Sequence, residues 1–179
     1  ASARPDVTLD IIGEGPERPA LESLAAGLGI AENVGFLGRV DEGTLFARMK
    51  AARAFALPSV REGFGIVVVE AQAAGAVPVV ARARYSAASR LVRENETGLV
   101  VAPEPAAFAD AFARPLADGP RRGEMATAAR AAAEQRDWDV IAEQMEAIYL
   151  HVAGTRRVSR APREVAPLAE APNVAGELA

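Results

Sequence analysis

The chain has 179 residues, a formal net charge of −4 and no cysteine, and half of its residues are hydrophobic. This length suits one domain with a sizeable core, and 20 basic against 24 acidic residues give no positive field to hold a nucleic-acid backbone. Without cysteine, and with His151 as its one histidine, the chain lacks thiolate and multi-histidine metal sites. We expect a soluble cytoplasmic protein without a nucleic-acid partner.

Short apolar runs alternate with helix-like stretches over the first hundred residues. The apolar runs predict strands at 7–12, 34–37, 54–57, 77–81 and 99–101. The segments between them carry apolar residues at intervals of three and four, which predicts helices at 16–28, 41–52, 66–74 and 87–94. Strand and helix in regular alternation indicate an α/β fold with a parallel sheet flanked by helices.

The last part of the chain changes character. Three helices are predicted at 105–116, 120–134 and 139–151, where they would close one end of the sheet. Residues 153–179 contain no aromatic side chain and have mixed charge, so they cannot bury enough apolar surface to offset the entropy of ordering. We therefore expect a domain over 1–152 and a disordered tail over 153–179.

Ligands of open α/β sheets bind at the carboxyl ends of the strands, so the loops there are the candidate sites. The first of these loops, GEGPER at 13–18, contains part of a dinucleotide-binding fingerprint, but Arg18 stands where the third glycine is needed. A tight strand-to-helix turn with Pro16 in the first helical turn is the favoured interpretation. Direct contact with a ligand is the alternative.

The stretch PSVREGFGIVVVEAQAAGAVPVV at 58–80 is more specific. A helix that begins near Gly65 would direct the free backbone N–H groups of Gly65, Ile66 and Val67 toward the crevice, with the positive end of its dipole behind them. Glu62 and Glu70 lie eight positions apart on either side of this helix start. The pattern predicts an anion-binding site between two carboxylates, which we call the anion seat.

Carboxylates repel phosphate, but they accept strong hydrogen bonds from hydroxyl groups. A ligand with a central phosphate and hydroxyls at both ends, such as a nucleoside diphosphate sugar, would satisfy the seat and both acids. The spacing alone fits equally well a helix packed on the sheet, with Glu62 and Glu70 solvated.

The same stretch resembles the E-x7-E signature of the retaining GT-B glycosyltransferases, the glycosyl transferases group 1. This family contains sucrose synthases, bacterial glycogen synthases and bacterial mannosyltransferases. The resemblance extends to LDIIGEGPERPALESLAAGLGIAENVGFLGRVDEGTL before the signature and ETGLVVAPEPAAFADAF after it, and covers roughly residues 7–152. It implies a Rossmann-like sheet flanked by helices, which is the C-terminal half of a GT-B enzyme, with a C-terminal helical cap.

The resemblance also implies roles for individual residues. Glu62 would be the catalytic-site acid, holding hydroxyls of the transferred sugar, and Glu70 would bind the ribose of the nucleotide. The backbone N–H groups for the donor sugar and diphosphate would come from Phe64, Gly65, Ile66 and Val67. The nucleobase would lie against Gly38, Arg39, Val40 and Leu45. In the family the sugar is transferred to an acceptor hydroxyl on the same face, with no metal and no cofactor required.

Two departures from the family pattern limit this interpretation. The family's donor domain begins with a further strand and helix that carry an arginine and a lysine for the diphosphate, and an acceptor-binding domain precedes it. This chain starts after both, so we expect a fragment or a subunit that is inactive alone and that associates peripherally with membranes through the acceptor domain. The second departure is the loop ARARYSAASRLV at 81–92, which lacks the family's glycine pair and proline-glutamate.

The missing cations are not replaced in an obvious way. The nearest basic residues are Arg39, Arg61, Arg82 and Arg84. We interpret them as solvated surface residues, and a role of any one of them in binding the phosphate is the alternative. Two hypotheses follow: the donor half of a glycosyltransferase, or a non-catalytic α/β module that binds a nucleotide or a protein partner.

Overall fold

The structure, a computed structural model, describes residues 6–117 and 119–155. The chain divides after Asp137 into two units. The strands are β1 (Leu9–Ile12), β2 (Val34–Gly38), β3 (Ala54–Leu57), β4 (Arg61–Glu62), β5 (Val77–Ala81), β6 (Tyr85–Ser86) and β7 (Leu99–Val101). The helices of the first unit are α1 (Arg18–Gly27), α2 (Glu42–Ala51), α3 (Ile66–Ala74), α4 (Pro105–Leu116) and α5 (Pro120–Glu134), and the second unit begins with α6 (Trp138–Thr155).

The predicted strands are confirmed, and all strand pairs are parallel. Within the described residues the strands are arranged as a β1–β2 ladder, a β3–β5–β7 ladder and a short β4–β6 ribbon, rather than as the single predicted sheet. β5 lies in the centre of its ladder and is buried at every position, and α3, α4 and α5 all pack against it. A central parallel strand is covered on both faces, which explains its uninterrupted apolar sequence.

The valine run of α3 belongs to the core. Val68 is fully buried and Val69 is 9% exposed, and both pack with Val80 and Val100 of the sheet. Burial of each such side chain contributes about 1.5–3 kcal/mol. The run therefore anchors the helix that begins at the strand ends.

The predicted helix at 87–94 is wrong. The chain first pairs through β6 with β4, and the backbone N–H of Ala87 donates to the Glu62 carbonyl at 2.9 Å. Only a 3₁₀ turn, Ala88–Leu91, follows, and the chain then reverses at Asn95, which has φ 63°. The pairing with β4 and the turn into β7 leave no room for a longer helix.

The N-terminus of α2 is capped by Asp41. Its carboxylate accepts hydrogen bonds from the backbone N–H of Thr44 at 2.8 Å and from the Thr44 hydroxyl at 2.7 Å. These bonds, the backbone one first, hold the pKa of Asp41 below its ordinary value of 3.8. The cap fixes the helix that follows the loop after β2.

We expect Asp41→Ala to lower the midpoint of thermal unfolding by about 2 to 4 °C, and Asp41→Asn, which still accepts the bond, to lower it less. Because the folded-state pKa is depressed, the stabilisation is present above pH 3.8 and is lost as the pH falls through the folded-state pKa. Calorimetric melts at neutral and acidic pH measure this. Equal melting of the alanine and asparagine variants at neutral pH would contradict it.

The last helix is longer in the structure than the sequence predicts. α6 ends at Thr155 instead of His151, so the first residues of the predicted tail, 153–155, are helical. The remainder of that predicted tail, 156–179, lies outside the described residues. No helix among residues 6–117 and 119–155 combines the length and the apolar character that a membrane span requires.

Candidate donor-binding site

Helix α3 starts at the carboxyl ends of the parallel strands, as the sequence predicts. Its N-cap is Gly65, whose φ of 89° lies in the left-handed region that favours glycine. A Cβ at this position would lie 3.1 Å from the Ala88 Cβ. The need for glycine thus comes from the backbone conformation and the packing of Ala88, which the sequence did not indicate.

Free donors lie at this helix start. The backbone N–H groups of Gly65, Ile66 and Val67 form no hydrogen bond with any described residue, and the Val68 N–H donates to the Gly65 carbonyl at 2.8 Å. The N–H of Phe64 instead donates to Oε1 of Glu62 at 3.4 Å. Of the predicted backbone donors, Phe64 is therefore engaged within the protein, whereas the other three are available to an anion.

Both predicted acids are half-buried, and neither forms an ion pair with a described residue. Glu62 lies in β4 in register with Ser86 of β6. Glu70 lies in α3, about 6 Å along the helix axis from Ile66. Carboxylates without a cationic partner beside free backbone donors can accept hydrogen bonds from ligand hydroxyls on either side of a bound anion.

Ser86 is in register with Glu62, but it was not among the predicted site residues. It is 7% exposed, and its hydroxyl has no hydrogen-bond partner among the described residues. The available signal was the departure of the loop 81–92 from the family pattern, since this loop lacks the glycine pair. Such an unpaired buried group is uncommon in folded proteins.

Buried contacts connect α3 with the segment after β6. Gln72 of α3 is fully buried, and its Nε2 donates to the Leu91 carbonyl at 3.1 Å. At the other end, Nη2 of Arg130 in α5 donates to the Ala74 carbonyl at 3.5 Å. These two hydrogen bonds connect α3 with the 3₁₀ turn after β6 and with α5. They help to fix the position of the helix.

The predicted nucleobase residues lie between β2 and the first turn of α2. Gly38 ends β2 and is buried, Arg39 is exposed, and Val40 and Leu45 are half-buried. α2 packs against α3, which places the two predicted parts of the site on neighbouring helices. The predicted base-binding and ribose-binding residues therefore belong to one connected part of the fold.

Arg18 and Glu14 also lie near Gly38. A Cβ built on Gly38 would be 3.5 Å from Nη1 of Arg18 and 3.8 Å from Oε1 of Glu14. Nη2 of Arg18 donates to the Phe36 carbonyl at 3.1 Å. The GEGPER loop therefore forms a turn in the structure, and the side chains of Glu14 and Arg18 lie near the end of β2. Pro16 precedes α1, which begins at Arg18, so its predicted place in the first helical turn is wrong.

The four basic residues near the site differ in their partners. Arg82 forms an ion pair with Glu94 at 2.9 Å. Arg61 and Arg84 both lie over the ring of Tyr85, and Arg39 is exposed. In the described part of the chain no three histidine or acidic side chains are grouped so that they could hold a metal ion. Transfer without a metal stays a prediction.

These elements define a Rossmann-like α/β protein with free backbone donors at a glycine-started helix. The sequence profile of the family described as "Glycosyl transferases group 1" matches residues 1–132. The chain belongs to this family, and the resemblance inferred from the E-x7-E signature is confirmed.

Two relatives show how much of a longer protein this chain represents. It is 41% identical over 150 residues to the phosphatidyl-myo-inositol mannosyltransferase of Mycobacterium leprae, and the matched region covers 83% of this chain and 39% of the relative. It is 40% identical over 139 residues to the D-inositol 3-phosphate glycosyltransferase of Corynebacterium urealyticum, and the matched region covers 76% of this chain and 32% of the relative. The chain thus spans less than half the length of these relatives.

Solved structures confirm the fold. Anabaena HepE in complex with UDP has a TM-score of 0.70 and 30% identity, over 84% of this chain and 42% of that protein. The sucrose-phosphate synthase of Thermosynechococcus elongatus has a TM-score of 0.71 and 29% identity, over 83% of this chain and 39% of that enzyme. The chain has the fold of the C-terminal half of a GT-B glycosyltransferase.

Proposed function

We propose that this chain is the donor-binding part of a retaining glycosyltransferase that transfers a hexosyl group from a nucleoside diphosphate sugar to an acceptor hydroxyl. The observation that carries the proposal is the set of free N–H groups at the start of α3, flanked by Glu62 and Glu70 without ion-pair partners. The names of the two bacterial relatives, and the UDP and UDP-glucose complexes of HepE, support it.

In this proposal the diphosphate lies on the N–H groups of Gly65, Ile66 and Val67. Glu70 accepts hydrogen bonds from the ribose hydroxyls, and Glu62 accepts them from the transferred sugar. Phe64 closes the loop through its bond to Glu62. The nucleobase lies against Gly38, Arg39, Val40 and Leu45.

The sugar leaves its diphosphate and joins the acceptor on the same face, with no covalent sugar–enzyme intermediate, metal or cofactor. Negative charge grows on the leaving diphosphate, and the helix N-terminus contributes only about 0.3 to 2 kcal/mol toward an anion. Cationic side chains from outside the described site are therefore required for turnover.

The share of the relatives' length that the chain covers supports an acceptor-binding region elsewhere in the complete enzyme. Peripheral association with a membrane through that region, and location in the cytoplasm, are part of the same proposal. Both relatives are named for a phosphorylated inositol, which supports an acceptor that carries a phosphate ester.

The test is sugar transfer from nucleotide sugars by the 179-residue chain and by the same chain joined to its genomic upstream sequence. We expect transfer only by the longer protein, and we expect Glu62→Gln in that protein to reduce turnover strongly. Nucleotide binding without transfer by either protein would overturn the enzyme proposal and favour the non-catalytic module.

A further inference from the structure

Ser86 is a buried polar residue beside the donor site that the proposed function does not use. It is 7% exposed, and its Oγ has no hydrogen-bond partner among the described residues. A buried hydroxyl that makes no hydrogen bond costs free energy, which is why such groups are uncommon in folded proteins. The Ser86 hydroxyl is therefore free to donate to a group that moves toward it.

The β4–β6 ribbon places Ser86 and Glu62 on the same face. They are Cα partners in the parallel register, and neighbouring strands lie about 4.8 Å apart. Successive side chains of a strand point to opposite faces, so partners in register share a face. The adjacent pair follows this rule, because the guanidinium carbon of Arg61 lies 5.9 Å from the Tyr85 ring centroid. That pair is exposed, whereas Glu62 is half-buried and Ser86 is buried.

The face that Ser86 and Glu62 share adjoins the start of α3. The backbone N–H of Ala87 donates to the Glu62 carbonyl at 2.9 Å, which holds the two strands together at this pair. A Cβ built on Gly65 would lie 3.4 Å from Cγ of Glu62. The stem of the Glu62 side chain therefore lies against the glycine that starts α3, with Ser86 on the neighbouring strand.

The Glu62 carboxylate is weakly held in this arrangement. Within the described residues its one hydrogen bond, from the N–H of Phe64 to Oε1, is 3.4 Å long, whereas such bonds are usually about 2.7–3.2 Å long. A carboxylate can accept several hydrogen bonds, so Glu62 has capacity for a sugar hydroxyl and a protein hydroxyl together. A sugar that covers the acid would also exclude water, and hydrogen bonds strengthen where water is excluded.

We propose that Ser86 is a positioning residue for Glu62. When the donor sugar binds, the Ser86 hydroxyl donates a hydrogen bond to the Glu62 carboxylate and fixes that acid against the sugar hydroxyls. The role of Ser86 rests on the proposed donor function. Because Glu62 faces the sugar and not the diphosphate, the anion seat should not depend on Ser86.

Calorimetric titration of the 179-residue chain separates the two parts of the donor. The probes are UDP, GDP and ADP and their glucose and mannose esters, and the diphosphate and nucleotide sugar that the wild type binds most tightly are compared. We expect Ser86→Ala to weaken binding of the nucleotide sugar about tenfold and to leave binding of the diphosphate within about twofold of the wild type. Ser89→Ala, which removes a half-buried serine hydroxyl in the following 3₁₀ turn, is the matched control and should change neither affinity.

Thermal melts and a double-variant cycle test whether the hydroxyl acts through Glu62. The melting midpoint of Ser86→Ala should equal or exceed that of the wild type, since the change removes an unpaired buried hydroxyl. In the Glu62→Ala chain, Ser86→Ala should cause no further loss of sugar binding. Ser86→Thr keeps the hydroxyl and should retain sugar binding, and if its added methyl group lowers the midpoint, the cycle with Glu62→Ala decides.

Three results would overturn the role of Ser86: no loss of sugar binding in Ser86→Ala, an equal loss of diphosphate and sugar binding, or a full further loss in the Glu62→Ala chain. Each of them leaves diphosphate binding by the wild type intact, so the donor function is judged separately. A wild-type chain that binds none of the diphosphates would overturn the donor function and the role of Ser86 with it.

Discussion

Replacement of Glu70 by glutamine is expected to weaken the binding of a nucleoside diphosphate about tenfold or more. Glu70 is half-buried in α3 and has no ion-pair partner among the described residues. Hydrogen bonds to a charged group contribute about 1.5–3 kcal/mol each, and a neutral amide loses most of that charge-assisted part. Calorimetric titration of the chain with the nucleoside diphosphate, at one fixed salt concentration, measures the change.

Glu62→Gln is the matched control, because it makes the same chemical change on the other side of the anion seat. It should leave the binding of the nucleoside diphosphate nearly unchanged and weaken the binding of the corresponding nucleotide sugar. Equal losses of nucleoside diphosphate binding in the two variants, or no loss in either, would refute the division of roles between the acids.

Gly65→Ala is expected to destabilise the chain by about 1–3 kcal/mol and to reduce nucleoside diphosphate binding. A side chain at φ 89° is strained, and the new Cβ would lie 3.1 Å from the Ala88 Cβ. Both effects push the start of α3 away from the segment after β6, and with it the free N–H groups. Urea denaturation gives the change in stability, and calorimetry gives the change in affinity.

Gly63→Ala is the control, since Gly63 lies in the same loop, its φ is not positive and a Cβ there has open space around it. This variant should remain within about 0.5 kcal/mol of the wild type. Ala88→Gly in the Gly65→Ala chain removes the 3.1 Å contact with the Ala88 Cβ but keeps the backbone strain and the Ala88 Cα at 3.3 Å, so any stability that it recovers measures the Cβ contact. Wild-type stability of Gly65→Ala alone would show that neither cause operates.

Much of the site could be predicted from local sequence because its key features are local. The valine run, the glycine and the two glutamates occupy one continuous stretch, 58–80. Helical periodicity therefore places the acids around the helix start before any tertiary contact is known. The predicted start of α3 near Gly65 and the burial of Val68 and Val69 are both confirmed.

The segment after β5 could not be predicted in the same way. Its alanines and leucine have a helical pattern, but residues 85–87 pair with β4, and Ala88 and Leu91 enter the core instead. Tertiary packing overrides the local helix propensity here, because this short segment both pairs with β4 and packs into the core. The same pairing buried Ser86 and brought Tyr85 beside Arg61.

The sequence by itself determined the α/β class, the order of the five longer strands and of the helices other than the one predicted at 87–94, the family, and the two acids around a helix N-terminus. Each of these depends on periodicity or on residues close together in the chain. Only the tertiary structure decided that the Phe64 N–H is taken by Glu62, that Ala88 packs on Gly65, and that two arginines meet at Tyr85. The packing of Ala88 on Gly65 and the meeting of Arg61 with Tyr85 each join segments between which α3 and β5 lie in the chain. No local pattern encodes such a distance, since it is set by how the ribbon pairs and how α3 packs on β5.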